Sequence, residues 1–101
     1  MMLFFDSSVE DFILSLEKQT IAKVLRVIDL LEKFGHHLSL PHSKKISANL
    51  FELRIRGRQE VRIFYTFQRG SAVMLHGFIK KSQATPVREI EQATKKLKGL
   101  T

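Results

Sequence analysis

Several residue types on which protein chemistry often depends are absent or scarce in this chain of 101 residues. It has no cysteine and no tryptophan, one tyrosine and two prolines. Without cysteine the chain cannot form disulfides, use a thiolate nucleophile or build a zinc site on sulfur ligands. No apolar run approaches the roughly 20 residues that a membrane-spanning helix needs. We therefore expect a cytoplasmic protein without a membrane partner, whose chemistry depends on its polar and charged residues.

Acidic residues and glycine-rich motifs are also scarce. The five glycines form no phosphate-binding loop or nucleophile elbow, and the four histidines are not accompanied by the Asp/Glu cluster of a magnesium nuclease. We expect no metal and no cofactor. The 17 Lys and Arg residues outnumber the 10 Asp and Glu residues, giving a net charge of +7. This excess favours a polyanionic partner, such as nucleic acid, a ribosome or an acidic protein, although a cationic surface kept for solubility has the same composition.

Residues 50–81 alternate between apolar and polar or basic side chains. A period of two predicts strands with one face on a core and the other in water, here at about 50–56, 60–68 and 72–80, joined by short antiparallel turns. The odd positions form the apolar set: Phe51, Leu53, Ile55, Val61, Ile63, Tyr65, Phe67, Val73, Leu75 and Ile79. The even positions form the other face and include Glu52, Arg54, Arg56, Arg62, Phe64, Thr66, Met74, His76, Phe78 and Lys80.

Helical spacing of apolar residues on both sides of this region completes the predicted fold. Residues 9–31 predict a helical hairpin or one kinked helix that ends near Gly35, and Thr85-Pro86 predicts the start of a final helix. Residues 2–5 are a candidate first strand, and residues 38–46 are expected to be a loop. The prediction is a single α+β domain, residues 1–101, with the order β-α-α-β-β-β-α. An antiparallel sheet carries the N-terminal helical hairpin on one face, a C-terminal helix follows, and the basic face stays open.

The even face of this predicted sheet is suited to binding a phosphodiester. Neighbouring strands lie about 4.8 Å apart, so Arg54, Arg62 and Lys80 can converge on one phosphate, which arginine binds through two parallel hydrogen bonds. Cations also support metal-free cleavage of RNA, in which the 2′-OH attacks the adjacent phosphorus and leaves a cyclic phosphate and a free 5′-hydroxyl. Lys80 and Lys81 are candidates for the proton transfers in this reaction.

Aromatic residues and a histidine share the even face, and each has two interpretations. Phe64 and Phe78 could stack a splayed-out base, or could pack with Met74 beneath a helix or a partner. His76 could be a catalyst, or only a packed or surface histidine. Tyr65 has the parity of the core, which predicts a buried ring with its hydroxyl hydrogen-bonded at the rim.

A distinctive pattern covers nearly the whole chain. It comprises LPHSKKI at 40–46, LFELR at 50–54, EVRIFY at 60–65, HGFIKKS at 76–82, TP at 85–86 and EI at 89–90. This pattern resembles the phage-derived Gp49-like proteins, the HigB-like branch of the RelE/ParE toxin superfamily. The resemblance implies a RelE-like fold and a toxin of a type II toxin–antitoxin pair that cleaves mRNA in the ribosomal A site. The implied partners are a helix-turn-helix (HigA-like) antitoxin, the ribosome and mRNA.

The resemblance also implies the site residues. Arg62 would contact the scissile phosphate, Arg54 would be a basic residue of the first central strand, and Lys80 or Lys81 the basic residue after the last strand. Some RelE members use a tyrosine near the C-terminal helix, which this chain lacks there, and for HigB-like members with a C-terminal histidine the nearest candidate is His76. The expected catalytic set is Arg54, Arg62, His76, Lys80 and Lys81. The expected RNA-binding set is Lys44, Lys45, Arg56, Arg58, Phe64 and Phe78.

Two alternatives to the ribosome-dependent nuclease stay open. One is a ParE-like inhibitor of DNA gyrase without nuclease activity, and the other is an inactive remnant that only binds its antitoxin. The basic cluster on the predicted sheet face, rather than only on helices, favours the nuclease. In all three cases the basic face or its rim is expected to bind an acidic or amphipathic antitoxin segment.

Overall fold

The chain folds into five strands and three helices within residues 1–100, the part that this computed structural model describes. The strands are β1 (Leu3–Phe5), β2 (Ser43–Ser47), β3 (Leu50–Ile55), β4 (Val61–Gln68) and β5 (Ser71–Ile79). The helices are α1 (Ser7–Leu14), α2 (Lys18–Phe34) and α3 (Val87–Gly99), and a short 3₁₀ turn (Gly35–His37) follows α2. Within the same residues, no helix is long and apolar enough to cross a membrane. The α+β class is confirmed.

The strands form one mixed sheet in the order β1-β5-β4-β3-β2. Strands β2 to β5 are antiparallel neighbours, whereas β1 joins the edge parallel to β5. Two predictions are corrected here. The sheet is not purely antiparallel, and β2 lies in the segment expected to be a loop, so the observed order is β-α-α-β-β-β-β-α. The segment is too polar to show a strand pattern, and it is ordered by hydrogen bonds to β3.

Local signals place the helix ends. Asp6 precedes α1, and its side chain accepts a hydrogen bond from the backbone N–H of Ser8. Helix α2 ends at Gly35, as predicted, where a φ of 54° favours glycine. Helix α3 begins at Val87, one residue after Pro86. The ends near Gly35 and Pro86 lie where the sequence predicts them, because capping depends on residues that are neighbours in the chain.

The main core lies between the helical hairpin and one face of the sheet. Helix α2 buries a stripe of aliphatic side chains, including Val24, Ile28 and Leu31. They belong to one cluster with the odd-numbered residues of the two central strands: Leu53, Ile55, Val61, Ile63 and Tyr65. The prediction for the odd positions of β3 and β4 is therefore confirmed.

A second, smaller core covers the other face, which was expected to be open. Its buried members are Leu50, Phe64, Leu75, Phe78 and Ala93. Ala93 belongs to α3, and the half-buried Ile90 and Leu97 of the same helix pack against this cluster. The prediction of an open, basic sheet face is wrong, because α3 carries its own apolar stripe and uses it to cover the even side of β4 and β5.

A register shift in β5 changes which side chains enter each core. Phe64 pairs with His76 and Tyr65 pairs with Met74, so Leu75 is an extra residue between two pairs. An inserted residue reverses the alternation of a strand. Met74 consequently lies in the main core, and Leu75 in the second core. The predicted sides of Val73, Met74 and Leu75 were wrong, since a strict period of two was assumed through this bulge.

Candidate functional site

Arg62 is a buried arginine at the centre of the sheet. It lies on β4 with Arg54 of β3 as its partner in the register, and its side chain is only 2% exposed. One terminal nitrogen donates hydrogen bonds to Oε2 of Glu60 at 3.2 Å and to the carbonyl oxygen of Val61 at 3.0 Å. Within residues 1–100, its Nε has no hydrogen-bond partner. A buried donor without a partner is costly, so stability alone does not explain an arginine at this position.

A buried carboxylate lies between the two arginines. Oε1 of Glu52 lies 3.1 Å from Nε of Arg54 and 3.9 Å from Nε of Arg62, and Glu52 is 1% exposed. The Thr85 hydroxyl donates to its other oxygen at 3.4 Å. Like charges that face each other across two strands repel, and a shared carboxylate offsets this repulsion. Glu52 thus positions the arginines. Its even position in β3 predicts its face of the sheet but not this role.

A cavity of about 490 Å³ opens beside Arg62. It is lined by Arg56, Glu60, Arg62, Lys80, Lys81, Ser82 and Gln83. Four of these residues are cationic and one is acidic, so the lining has a formal excess of three positive charges. A cavity of this size can hold a small ligand, and its charge favours an anion. We call it the cationic cavity.

Hydrogen bonds hold the two sides of the cationic cavity together. The backbone N–H of Lys80 donates to the carbonyl oxygen of Glu60 at 2.7 Å, which joins the end of β5 to the start of β4. The Lys80 ammonium donates to the carbonyl oxygen of Gln83 at 2.7 Å and so orders the loop that follows. The hydrogen bond to Gln83 thereby holds the Lys80 side chain against the wall of the cavity.

The structure brings together only part of the predicted catalytic set. Arg62, Lys80 and Lys81 line the cationic cavity, and Arg54 lies beside it behind the Glu52 carboxylate. His76 does not line it. Its Nε2 lies 2.9 Å from Oε1 of Glu89 on α3, and it is 19% exposed. This position favours the interpretation of His76 as a packed histidine that ties β5 to α3.

The predicted RNA-binding set is also divided. Arg56 lines the cationic cavity, whereas Arg58 is exposed and lies 3.6 Å from Glu17. The two lysines of β2, Lys44 and Lys45, are exposed on the edge of the sheet. Phe64 and Phe78 are buried in the second core, stacked with their ring centres 5.6 Å apart. The expectation that these two rings are exposed for base stacking is therefore wrong.

Glu60 is a residue of the cavity that the sequence analysis missed. It is half-buried, bonds to Arg62 and lies 4.0 Å from Arg56, and it is the carboxylate among the residues that line the cavity. A carboxylate next to cations that hold a phosphate can accept a proton from a bound hydroxyl. Its position two residues before Arg62, which places both side chains on the same face of a strand, is the feature of the sequence that could have identified it. No group of His, Asp and Glu within residues 1–100 is arranged to hold a metal ion.

The fold and the cavity define a class of protein: a small α+β domain with a cation-lined site at one end of its central strands. The sequence profile of the phage-derived Gp49-like proteins matches residues 11–98, and the chain belongs to this family. No curated protein matches the chain. Membership confirms the Gp49-like resemblance and is consistent with the toxin of a toxin–antitoxin system.

Proposed function

We propose that this protein is the RelE-like toxin of a type II toxin–antitoxin pair and that it cleaves mRNA on the ribosome without a metal ion. The observation that carries this proposal is the buried Arg62, which lines a cavity together with three further cations. Family membership supports the toxin class. The proposed partners are a helix-turn-helix antitoxin, which neutralises the toxin by binding to its basic rim, and the ribosome, which presents the message.

The proposed reaction is an attack of the RNA on itself. The ribose 2′-oxygen forms a bond to the adjacent phosphorus, and the bond from phosphorus to the 5′-oxygen breaks. Glu60 accepts the proton of the 2′-OH, and Lys80 or Lys81 donates a proton to the leaving 5′-oxygen. Arg62 binds the non-bridging oxygens, where negative charge increases in the transition state. The products are a cyclic phosphate and a free 5′-hydroxyl.

Substitution of Arg62 tests this function. We expect Arg62→Lys, which keeps a positive charge beside Glu52 but loses the planar fork, to lower cleavage by roughly 10²- to 10³-fold, the usual effect of losing one transition-state donor. The measurement is cleavage of ribosome-bound mRNA by the purified protein, with folding checked by circular dichroism. Lys18→Gln, an exposed change at the start of α2, is the matched control and should leave cleavage unchanged. Full cleavage by a folded Arg62→Lys protein would contradict the proposal.

A second variant tests the same function without changing a buried residue, so that it is less prone to misfold. Lys80 is only partly buried, so Lys80→Gln should keep the fold and lower cleavage by roughly 10²-fold. Growth arrest after induction gives a parallel test in cells. Protein synthesis should stop before DNA synthesis. The reverse order would point to gyrase inhibition, and the absence of any arrest would point to an inactive remnant.

A further inference from the structure

A second cavity of about 340 Å³ lies between α2 and β3, next to the cationic cavity. Its lining comprises Lys23, Arg26, Val27, Leu30, Pro41, His42, Arg54, Ile55 and Arg56. Arg56 lines both cavities, and Arg54 faces Arg62 across the β3–β4 pair. The two cavities therefore adjoin at Arg56. We call the second one the α2 groove.

The α2 groove has unneutralised positive charge. Lys23 and Arg26 lie three residues apart on α2, so they project from one face of the helix. Within residues 1–100, neither takes part in an ion pair or a side-chain hydrogen bond, and no acidic residue is among those that line the groove. Charges that are neither paired nor opposed within a concave surface attract an anion from solution.

The side chain of Lys23 passes over a glycine in the turn after β3. A Cβ atom added to Gly57 would lie 2.6 Å from Nζ of Lys23. The lysine side chain therefore extends across the turn, over the space that a larger residue would occupy. Lys23 and Arg56 both line the groove, and Arg56 also lines the cationic cavity.

The floor of the α2 groove is apolar. It is formed by Val27 and Leu30 of α2, Ile55 of β3, and Pro41. A nucleotide combines a flat, weakly polar base with a charged phosphate, and single-stranded nucleic acids are typically bound by a surface for the base beside cations for the backbone. The α2 groove has both parts, at a volume that fits one nucleotide.

We propose that the α2 groove is a second nucleotide subsite, which binds the residue of single-stranded RNA next to the one held in the cationic cavity. Its backbone phosphate contacts Lys23 and Arg26, its base packs on Leu30 and Pro41, and the strand crosses Arg56 between the two sites. This inference rests on the proposed function, because it assigns the strand to the same message that is cleaved.

The test is a length series of oligoribonucleotides binding to the purified full chain. Each carries 2′-O-methyl groups, so that it cannot be cleaved by 2′-OH attack, and binding is measured by fluorescence anisotropy. We expect Lys23→Gln/Arg26→Gln to bind a single nucleotide, which occupies only the cationic cavity, as the wild type does, and a hexanucleotide about tenfold more weakly. The dependence of log affinity on log salt should decrease in slope by about 0.7, the value for one lost phosphate contact on a single strand.

Two further variants separate the parts of the subsite. Lys18→Gln/Lys33→Gln removes the same charge from the same helix outside the groove, and should change hexanucleotide affinity less than twofold. Leu30→Ser alters the apolar floor, and should weaken hexanucleotide binding severalfold without changing the salt dependence. Equal losses in the two charge variants would show a general attraction of charge and would overturn the proposal.

Three other outcomes would also overturn it. A loss seen only with ribosomes, and not with oligoribonucleotides, would assign the groove to ribosomal RNA. A polyglutamate peptide that binds as tightly as the hexanucleotide would assign it to an acidic protein segment. Unchanged hexanucleotide binding in Lys23→Gln/Arg26→Gln would show that the groove does not contact RNA. In that last case, loss of cleavage in Arg62→Lys would still support the proposed function.

The binding proposal can also hold when the nuclease proposal fails. If Arg62→Lys cleaves fully while Lys23→Gln/Arg26→Gln loses its length-dependent binding, the α2 groove binds RNA and the nuclease assignment fails. Binding and cleavage are measured independently, so neither result depends on the other.

Discussion

Single residues determine the electrostatics of this protein, and the most unusual of them is Arg62. Burying an ion costs several kcal/mol of hydration free energy, and a buried ion pair is weak support for stability. Glu52 lies 3.9 Å from Nε of Arg62, too far to make a hydrogen bond with it. The arginine is thus held but not satisfied. Its side chain nevertheless lines the cationic cavity, and the proposed contact with an RNA phosphate gives a physical reason for a costly residue at this position.

The burial of a second residue, Tyr65, can be measured through the pKa of its hydroxyl. Tyr65 is the only tyrosine of the chain, and its hydroxyl lies 2.6 Å from that of Ser43. Burial raises the pKa of the Tyr65 hydroxyl above its ordinary value of 10.0, and the hydrogen bond between Tyr65 and Ser43 lowers it in part. We expect the ultraviolet titration of the folded protein to have its phenolate midpoint above that ordinary value. Ser43→Ala should move the midpoint further upward.

The same shift predicts alkaline unfolding. The pKa of Tyr65 is higher in the folded state than in the unfolded state, so its contribution to stability is complete below pH 10.0. That contribution is lost as the pH rises through the folded-state pKa. A folded protein whose tyrosine titrates at the ordinary value would contradict this expectation.

Among the elements, strand β5 has the greatest influence on the packing. Because of its bulge at Leu75, neighbouring side chains lie in different cores. The Phe12 ring of α1 packs against the backbone of Gly77 in this strand. A Cβ atom at Gly77 would lie 2.5 Å from Cδ2 and 2.8 Å from Cε2 of Phe12. Helix α1 can approach the sheet this closely because the strand has no side chain at that point.

Gly77→Ala tests this close approach. We expect a loss of about 1–3 kcal/mol in the free energy of unfolding, because the Phe12 ring must move away from an overpacked site. Chemical denaturation measures the loss. Gly99→Ala is the control, since a Cβ atom there has no neighbour within 4 Å, and it should change stability by less than about 0.5 kcal/mol. Equal stability of the two variants would show that α1 does not depend on Gly77.

Considered as a whole, the molecule has helices on both faces of its sheet, and one ion pair links the ends of the chain. Nζ of Lys96 on α3 lies 3.0 Å from Oδ2 of Asp6, the residue that caps α1. The hydrogen bond from the Ser8 side chain lowers the pKa of Asp6 most, and Lys96 lowers it further. The pair joins the helical hairpin to the C-terminal helix around the edge strand β1.

This link predicts an acid dependence of global stability. The folded-state pKa of Asp6 lies below its unfolded value of 3.8, so its contribution is present above that pH and is lost as the pH falls through the folded-state pKa. Because the pair is partly exposed, we expect only about 0.2–1 kcal/mol. Asp6→Asn keeps a capping side chain but should lose this part of the acid dependence in denaturation curves. Identical pH dependence in Asp6→Asn and wild type would contradict the role of the pair.

Much of the local structure follows from the sequence alone. Strands β3, β4 and β5 lie within one residue of their predicted bounds, and Gly35 ends α2 as expected. The burial of Tyr65 and the grouping of Arg62 with Lys80 could also be anticipated. These features depend on alternation, capping and adjacent strands, which are short-range properties that a sequence displays directly.

Only the tertiary structure decided the rest. Strand β2 is too polar to be recognised without β3, the bulge at Leu75 reverses the alternation of β5, and α3 covers a face that alternation alone leaves open. The role of Glu52 and the α2 groove depend on contacts between residues far apart in the chain. The sequence alone determined which residues carry charge. Packing decided which of those charges are buried, paired or left open to a ligand, because burial and pairing depend on distances that only the folded chain has.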